Sequence, residues 1–161
     1  MLISIDNTIM KADTIVMRVI IFDFNRTIYD PDTQQLIEDA ELMLQHLTSQ
    51  GFILFLISRA EQGREELIES LGLRRYFKRI HIVQDKVQQD FAALIDNKLI
   101  DRRTSFIIGD QVKKEIRIGN WLGLKTIWLR RGKFADELPE ADGEHPTHTI
   151  ESLNGLLSIV R

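Results

Sequence analysis

Val19-Ile20-Ile21-Phe22-Asp23-Phe24-Asn25-Arg26-Thr27-Ile28 begins with four consecutive large apolar residues and then breaks on a carboxylate. A strand with one solvated face alternates apolar and polar residues. An unbroken β-branched run instead fits a strand covered on both faces, as in a parallel sheet. Residues 52–57 and 106–108 repeat the pattern, and 79–83 and 126–129 are weaker copies.

Helical periods lie between these runs. Leu36, Ala40, Met43, Leu44 and Leu47 fall on one helix face, and Gly51 supplies a stop. Similar stripes are Ala60, Leu67, Ile68 and Leu71, then Val87, Phe91, Leu94 and Ile95, then Ile116, Gly119 and Leu122. Leu153, Leu156, Leu157 and Val160 make a last one. Parallel strands alternating with helices need right-handed crossovers, so the expected class is α/β, a doubly wound, Rossmann-like parallel sheet with helices on both faces.

Residues 1–17 stand outside this alternation and read as an N-terminal extension or a short hairpin, with 18–161 as the main domain and Met17 as an alternative start. The stretch 132–146 is polar, holds two of the three prolines and reads as a surface loop. The chain has 161 residues, enough for one substantial core, and shows no repeat or second domain.

Composition narrows the chemistry. With no cysteine, disulfides, thiolate nucleophiles and Cys-ligated zinc drop out, leaving oxygen ligands and carboxylates. A net charge of -3 gives no generic pull toward nucleic acid. Apolar runs are far shorter than the ~20 residues of a membrane span, and residues 1–6 lack the order of a signal peptide. The expected location is cytoplasmic, with no membrane partner.

In doubly wound sheets, ligands collect beyond the carboxyl ends of the strands. Asp23, Ser58, Lys86 and Asp110 all fall there, Asp110 following the turn-maker Gly109. Two carboxylates suit a hard cation such as magnesium, which takes oxygen ligands and shares them with a substrate phosphate. Ser58 and Lys86 precede helices and suit an anion. Taken singly, each has a plainer reading: Asp23 as a turn or cap residue, Ser58 as a helix cap, Lys86 as a solvated lysine.

Taken in order, these residues resemble the haloacid dehalogenase (HAD) superfamily, mostly magnesium-dependent phosphatases that pass through an aspartyl phosphate. The likeness runs from about Val19 to Leu157. Residues 19–28 look like its first motif, 54–58 like the strand ending in Ser or Thr, Lys86 like its lysine, and 106–110 with Glu115 like its Gly-Asp motif. Lys98 and Lys113 are rival lysines. The resemblance implies Asp23 as nucleophile and metal ligand, the Asn25 backbone carbonyl and Asp110 as further ligands, and Ser58 and Lys86 on phosphoryl oxygens. Thr27 and Glu115 would support them, Glu115 through water. It also implies a phosphorylated substrate, small or macromolecular.

Asn25 departs from the pattern, because phosphatases of this kind carry a second Asp there as general acid and base. A carboxamide cannot do that work, at a cost on the order of 10²–10⁴ in rate where proton transfer is limiting. The expectation is therefore a phosphatase or phosphotransferase weakened at Asn25, or a silent phosphate-binding module. The motifs follow too closely for a separate cap, so the site is expected to be open, or closed by homo-oligomerisation. Dehalogenase chemistry at Asp23 fits an open site poorly. His46, His81, His145 and His148 show no metal-binding spacing, Trp121 and Trp128 read as core residues, and Arg130, Arg131 and Lys133 read as a charged loop.

Overall fold

The computed structural model describes residues 16–96 and 99–161; the proposed hairpin at the N-terminus and the rival Lys98 lie outside them, apart from Val16 and Met17. Strands β1 (Val19–Asp23), β4 (Ile53–Arg59), β5 (Phe77–Val83), β6 (Phe106–Gly109), β7 (Lys125–Leu129) and β8 (His148–Ile150) form one sheet in the order β5-β4-β1-β6-β7-β8. Every pairing in it is parallel. Helices α1 (Ala40–Ser49), α2 (Arg64–Ser70), α3 (Gln88–Leu94), α4 (Arg117–Trp121) and α5 (Leu156–Ile159) complete the doubly wound arrangement.

β1 is buried along its whole length, as its unbroken apolar run requires. Its side chains alternate between two cores: Ile20 and Phe22 join Met43, Leu44 and Leu156 on one face. Val19 and Ile21 join Phe91, Leu94 and Leu122 on the other. Each crossover helix thus covers the face that its apolar stripe matches.

Several local expectations are corrected. Leu36 lies not on α1 but in a two-residue strand β3 (Gln35–Leu36), antiparallel to β2 (Tyr29–Asp30). Gln34 and Asp39 both have positive φ, 57° and 64°, which breaks the helical stripe ahead of Ala40. A further strand, β8, has three residues and only one buried side chain, too short a pattern to stand out in the sequence. The 132–146 segment is largely irregular but includes two single 3₁₀ turns, Gly132–Phe134 and Asp142–Glu144.

Between β6 and α4 the backbone makes one wide π-type turn, Val112–Ile116. Such turns occur mostly as local insertions, often beside functional sites. Here it brings Glu115, fully buried, back beneath the end of β6. Gly109 makes room for it: a Cβ on Gly109 would come within 2.5 Å of Glu115 Cβ and Cγ.

Candidate active site

Strand register assembles the site. Asp23 is level with Ile57 on β4, and Phe22 is level with Ile108 on β6. Ser58 and Asp110 therefore each stand one residue beyond the level of Asp23, at the carboxyl edge of the sheet. The chain enters the sheet at β1, builds β4 and β5 on one side, then returns to place β6 on the other. Asp23 and Asp110 thus flank the switch point where crossovers diverge and a crevice opens.

Lys86 lies three residues past β5, and its side chain is almost wholly buried. Its ammonium pairs with Asp23 Oδ1 and, at 2.8 Å, with Glu115 Oε1. Thr27, buried in the turn after β1, donates to Asp23 Oδ2 at 3.4 Å. The Trp128 indole N–H donates to the Asp110 carbonyl at 3.0 Å, holding the loop after β6.

Two of three clustered buried carboxylates, Asp23 and Glu115, thus share one buried cation, and the third, Asp110, lies beside them with no partner for its carboxylate oxygens. Burial pushes the Asp110 carboxyl up to about 8, with the charges of Asp23 and Glu115 adding to the rise and Lys86 opposing it. Burial likewise pushes Glu115 to about 7, with Asp23 adding and Lys86 opposing. For Lys86, burial disfavours the charge, but the two carboxylates outweigh it and hold the ammonium above the ordinary lysine range.

A hard divalent cation fits this set. Asp23, Asp110 and Glu115 each offer an oxygen within 4.8 Å of the others. Both carboxylate oxygens of Asp110 and Oε2 of Glu115 are buried with no hydrogen-bond partner. Buried carboxylate oxygens left without donors are costly, and a cation supplies what they lack. Glu115 accordingly stands in the cluster, in contact with Lys86.

Asn25 sits in a second, separate ring. Arg64, 4% exposed, donates from Nη1 to Asn25 Oδ1 at 3.1 Å and pairs through Nη2 with Glu61 Oε2 at 2.6 Å. Asn25 Nδ2 in turn donates to Glu61 Oε1 at 3.4 Å, and the guanidinium lies 4.6 Å from the Phe24 ring centroid. The carboxamide is thereby fixed in orientation. The sequence held little sign of this, since Glu61 and Arg64 look like an ordinary i,i+3 surface pair.

A cleft of about 210 Å³ opens over these groups, lined by Asp23, Asn25, Glu61, Lys86 and Asp110 and by the cations Arg26, Arg59, Lys114 and Lys133. Ser58 is buried just below, its hydroxyl donating to the Arg59 carbonyl at 3.1 Å. The rival Lys113 points elsewhere, paired with Glu140 at 2.8 Å. Lys133 is drawn from the charged loop into the cleft wall, whereas Arg130 Nε donates to the Ala135 carbonyl at 2.8 Å. Among the described residues no histidine joins the metal-type cluster. Trp128 is core, but Trp121 is not: it is 63% exposed, because α4 buries its Gly119 side and Trp121 falls off that stripe.

A doubly wound parallel sheet with an acidic cluster and a buried lysine at its switch point defines an α/β domain whose open end offers oxygen ligands to a hard cation. The chain belongs to the HAD-hydrolase-like family, whose model matches residues 65–156 and so includes Lys86, Asp110 and Glu115. A glyceraldehyde 3-phosphate phosphatase of Methanopyrus kandleri is 29% identical over 125 residues, covering 73% of this chain and 53% of that protein. The chain thus spans about half the length of this curated relative. In fold it is similar to the magnesium-bound HAD-hydrolase YfnB of Bacillus subtilis, with a TM-score of 0.73, 17% identity, and coverage of 91% of this chain and 99% of that one. A haloacid dehalogenase-like hydrolase from Xanthomonas campestris gives 0.70 and 13%, over 89% and 94%. Similarity at these identities concerns the fold alone. No helix among the described residues is long and apolar enough to cross a membrane.

Proposed function

We propose that this chain, with 18–161 as its catalytic unit, is a magnesium-dependent phosphatase or phosphotransferase working through an Asp23 phosphoenzyme. The observation that carries the proposal is the buried set Asp23, Asp110 and Glu115 around Lys86, with both Asp110 oxygens unpartnered at the open end of the sheet. Magnesium, when bound, offsets the negative charge that a phosphoryl group brings. Asp23 and Asp110 would hold it, with the Asn25 backbone carbonyl.

In this reading an Asp23 oxygen attacks phosphorus and the ester oxygen departs with its bonding electrons, leaving an aspartyl phosphate. Lys86 has three N–H donors, two of them committed to Asp23 and Glu115, so one remains for a phosphoryl oxygen. Ser58 turns its hydroxyl from the Arg59 carbonyl to meet another. Thr27 keeps the Asp23 carboxylate oriented, and Glu115 keeps Lys86 in place. Water then attacks the aspartyl phosphate, restoring the carboxylate and releasing phosphate. Asn25 neither protonates the leaving oxygen nor deprotonates this water, so hydrolysis of the intermediate is the slow half.

The substrate is a phosphate ester, small or macromolecular, entering from the open edge. A cytoplasmic location belongs to the same proposal, as does a homo-oligomer in which a second copy covers that edge. Asn25 favours one other reading, a phosphate-binding module without turnover. Phosphate release from an aryl phosphate, with and without magnesium, decides between the two: magnesium-dependent release abolished by Asp23→Ala upholds the enzyme. Release unaffected by Asp23→Ala removes the phosphoenzyme, and phosphate binding without release upholds the module.

A further inference from the structure

Beside the catalytic cleft runs a larger groove of about 460 Å³, between the start of α3 and the π-type turn with α4. Lys86 and Lys114 line both, so the two spaces adjoin at these side chains. The groove lies within the ~300–1,000 Å³ of small-molecule sites. Nothing in the catalytic assignment uses it.

Its lining has a definite character. Trp121 is 63% exposed and Val87 47%, an unusual outlay of apolar surface at one place. Lys114 and Arg117 also line it; neither is in an ion pair among the described residues, although Arg117 feels the charge of Glu144, which lies outside the groove. Lys113 has its charge answered by Glu140. The other polar lining residues are Gln88 and Gln89, so no carboxylate faces the groove from either wall. In a chain of net charge -3, two cations outside any close ion pair beside an exposed indole mark a local reversal of sign.

We propose that the groove holds the leaving-group part of the substrate, and that the substrate is a nucleotide with at least two phosphoryl groups. One phosphoryl group reaches the cleft at Asp23, a second lies between Lys114 and Arg117, and the base stacks on Trp121. Arg117 supplies a planar fork of donors suited to a phosphate, and the indole offers a face to any base. This rests on the phosphoryl-binding role of the cleft, and deepens it by naming what lies on the far side of the scissile bond.

Trp121 is itself the reporter, since the other tryptophan, Trp128, is 3% exposed. Titrating the full chain in magnesium with ADP, AMP, adenosine and inorganic phosphate, while following tryptophan fluorescence, tests the proposal without any turnover. The expected result is saturable quenching by ADP, about tenfold tighter than by AMP, and none by phosphate alone. Lys114→Gln with Arg117→Gln removes the preference for ADP, and Trp121→Phe removes the signal while ADP still raises the melting temperature. No quenching by ADP, equal quenching by adenosine, or an ADP preference that survives the double substitution each overturns the proposal. So does burial of Trp121 in a dimer, seen by sedimentation together with indifference to ADP. An inactive chain that still binds ADP in this way would refute the phosphatase reading and leave the groove standing. An active chain whose Trp121 ignores ADP would do the reverse.

Discussion

Arg64 donates to Asn25 Oδ1 at 3.1 Å from a position that is 4% exposed, so any side chain at 25 is read by a buried, permanent positive charge. A carboxylate placed there would be held in its ionised form by the buried guanidinium, against the weaker opposition of Glu61, whose half-exposed charge is screened by solvent and already paired with Arg64.

Asn25→Asp therefore restores a base more readily than an acid. With an aryl phosphate, whose leaving group needs little protonation, steady-state hydrolysis is expected to rise by up to on the order of 10²–10⁴. With an alkyl phosphate the gain is expected to be much smaller. Parallel rate measurements on the two esters check this, and equal gains would show that Arg64 does not keep the new carboxylate charged.

Magnesium should stabilise the protein most at the alkaline side of neutrality. Asp110 rises from 3.8 to about 8 and Glu115 from 4.5 to about 7 in the metal-free fold. Between the lower and upper values the folded chain carries more protons than the unfolded one. Metal-free stability therefore falls as pH climbs from about 4 toward 8. Lys86 does not alter the sign, since it stays charged in both states across this window. Metal binding displaces the extra protons, so its stabilisation grows over the same range. Thermal melts at pH 5.5 and 8, in EDTA and in magnesium, should show the magnesium increment larger at pH 8.

Lys86→Met takes away the one cation that, among the described residues, contacts Asp23 and Glu115. Breaking a buried pair on one side costs about 3–5 kcal/mol. The loss should be smaller in acid, where the carboxyls are neutral, and partly recovered by magnesium. Urea unfolding at two pH values with and without the metal measures both effects.

Gly109→Ala sets a methyl 2.5 Å from Glu115 Cβ and Cγ. The acid must leave its place, at a cost of about 1–3 kcal/mol. A weaker response of the melting temperature to magnesium should accompany the loss. Gly123, with φ of 73° and its Cβ position nearly open, provides the contrast: alanine there strains the backbone yet should leave the magnesium response intact.

The sequence disclosed those parts whose cause is local. Four apolar residues before Asp23 announce a strand covered on both faces, and Gly109-Asp110 announces the turn that ends β6. Ser58 and Lys86 followed from the same edge rule. What stayed hidden depends on distant partners. β8 has one buried residue and exists because β7 offers it an edge. Glu115 belongs to the Gly-Asp motif, but the wide turn that carries it into the cluster is one that no residue type specifies. The Arg64 clamp relies on a turn that aims a surface-looking side chain inward, and Trp121 looked like core because exposure depends on which stripe α4 buries.

The order in which strands enter the sheet also bears on synthesis. β1 lies between β4 and β6, whose pairing residues are 53–57 and 106–108. As the chain is made, this β-branched strand waits with one edge and then the other unpaired, a state that invites association between chains. Asp23 is thus made well before Asp110, the carboxylate that joins it at the switch point. Fragments that stop short of Gly109 should accordingly collect in the insoluble fraction, and the acidic cluster stays incomplete until β6 has closed the gap.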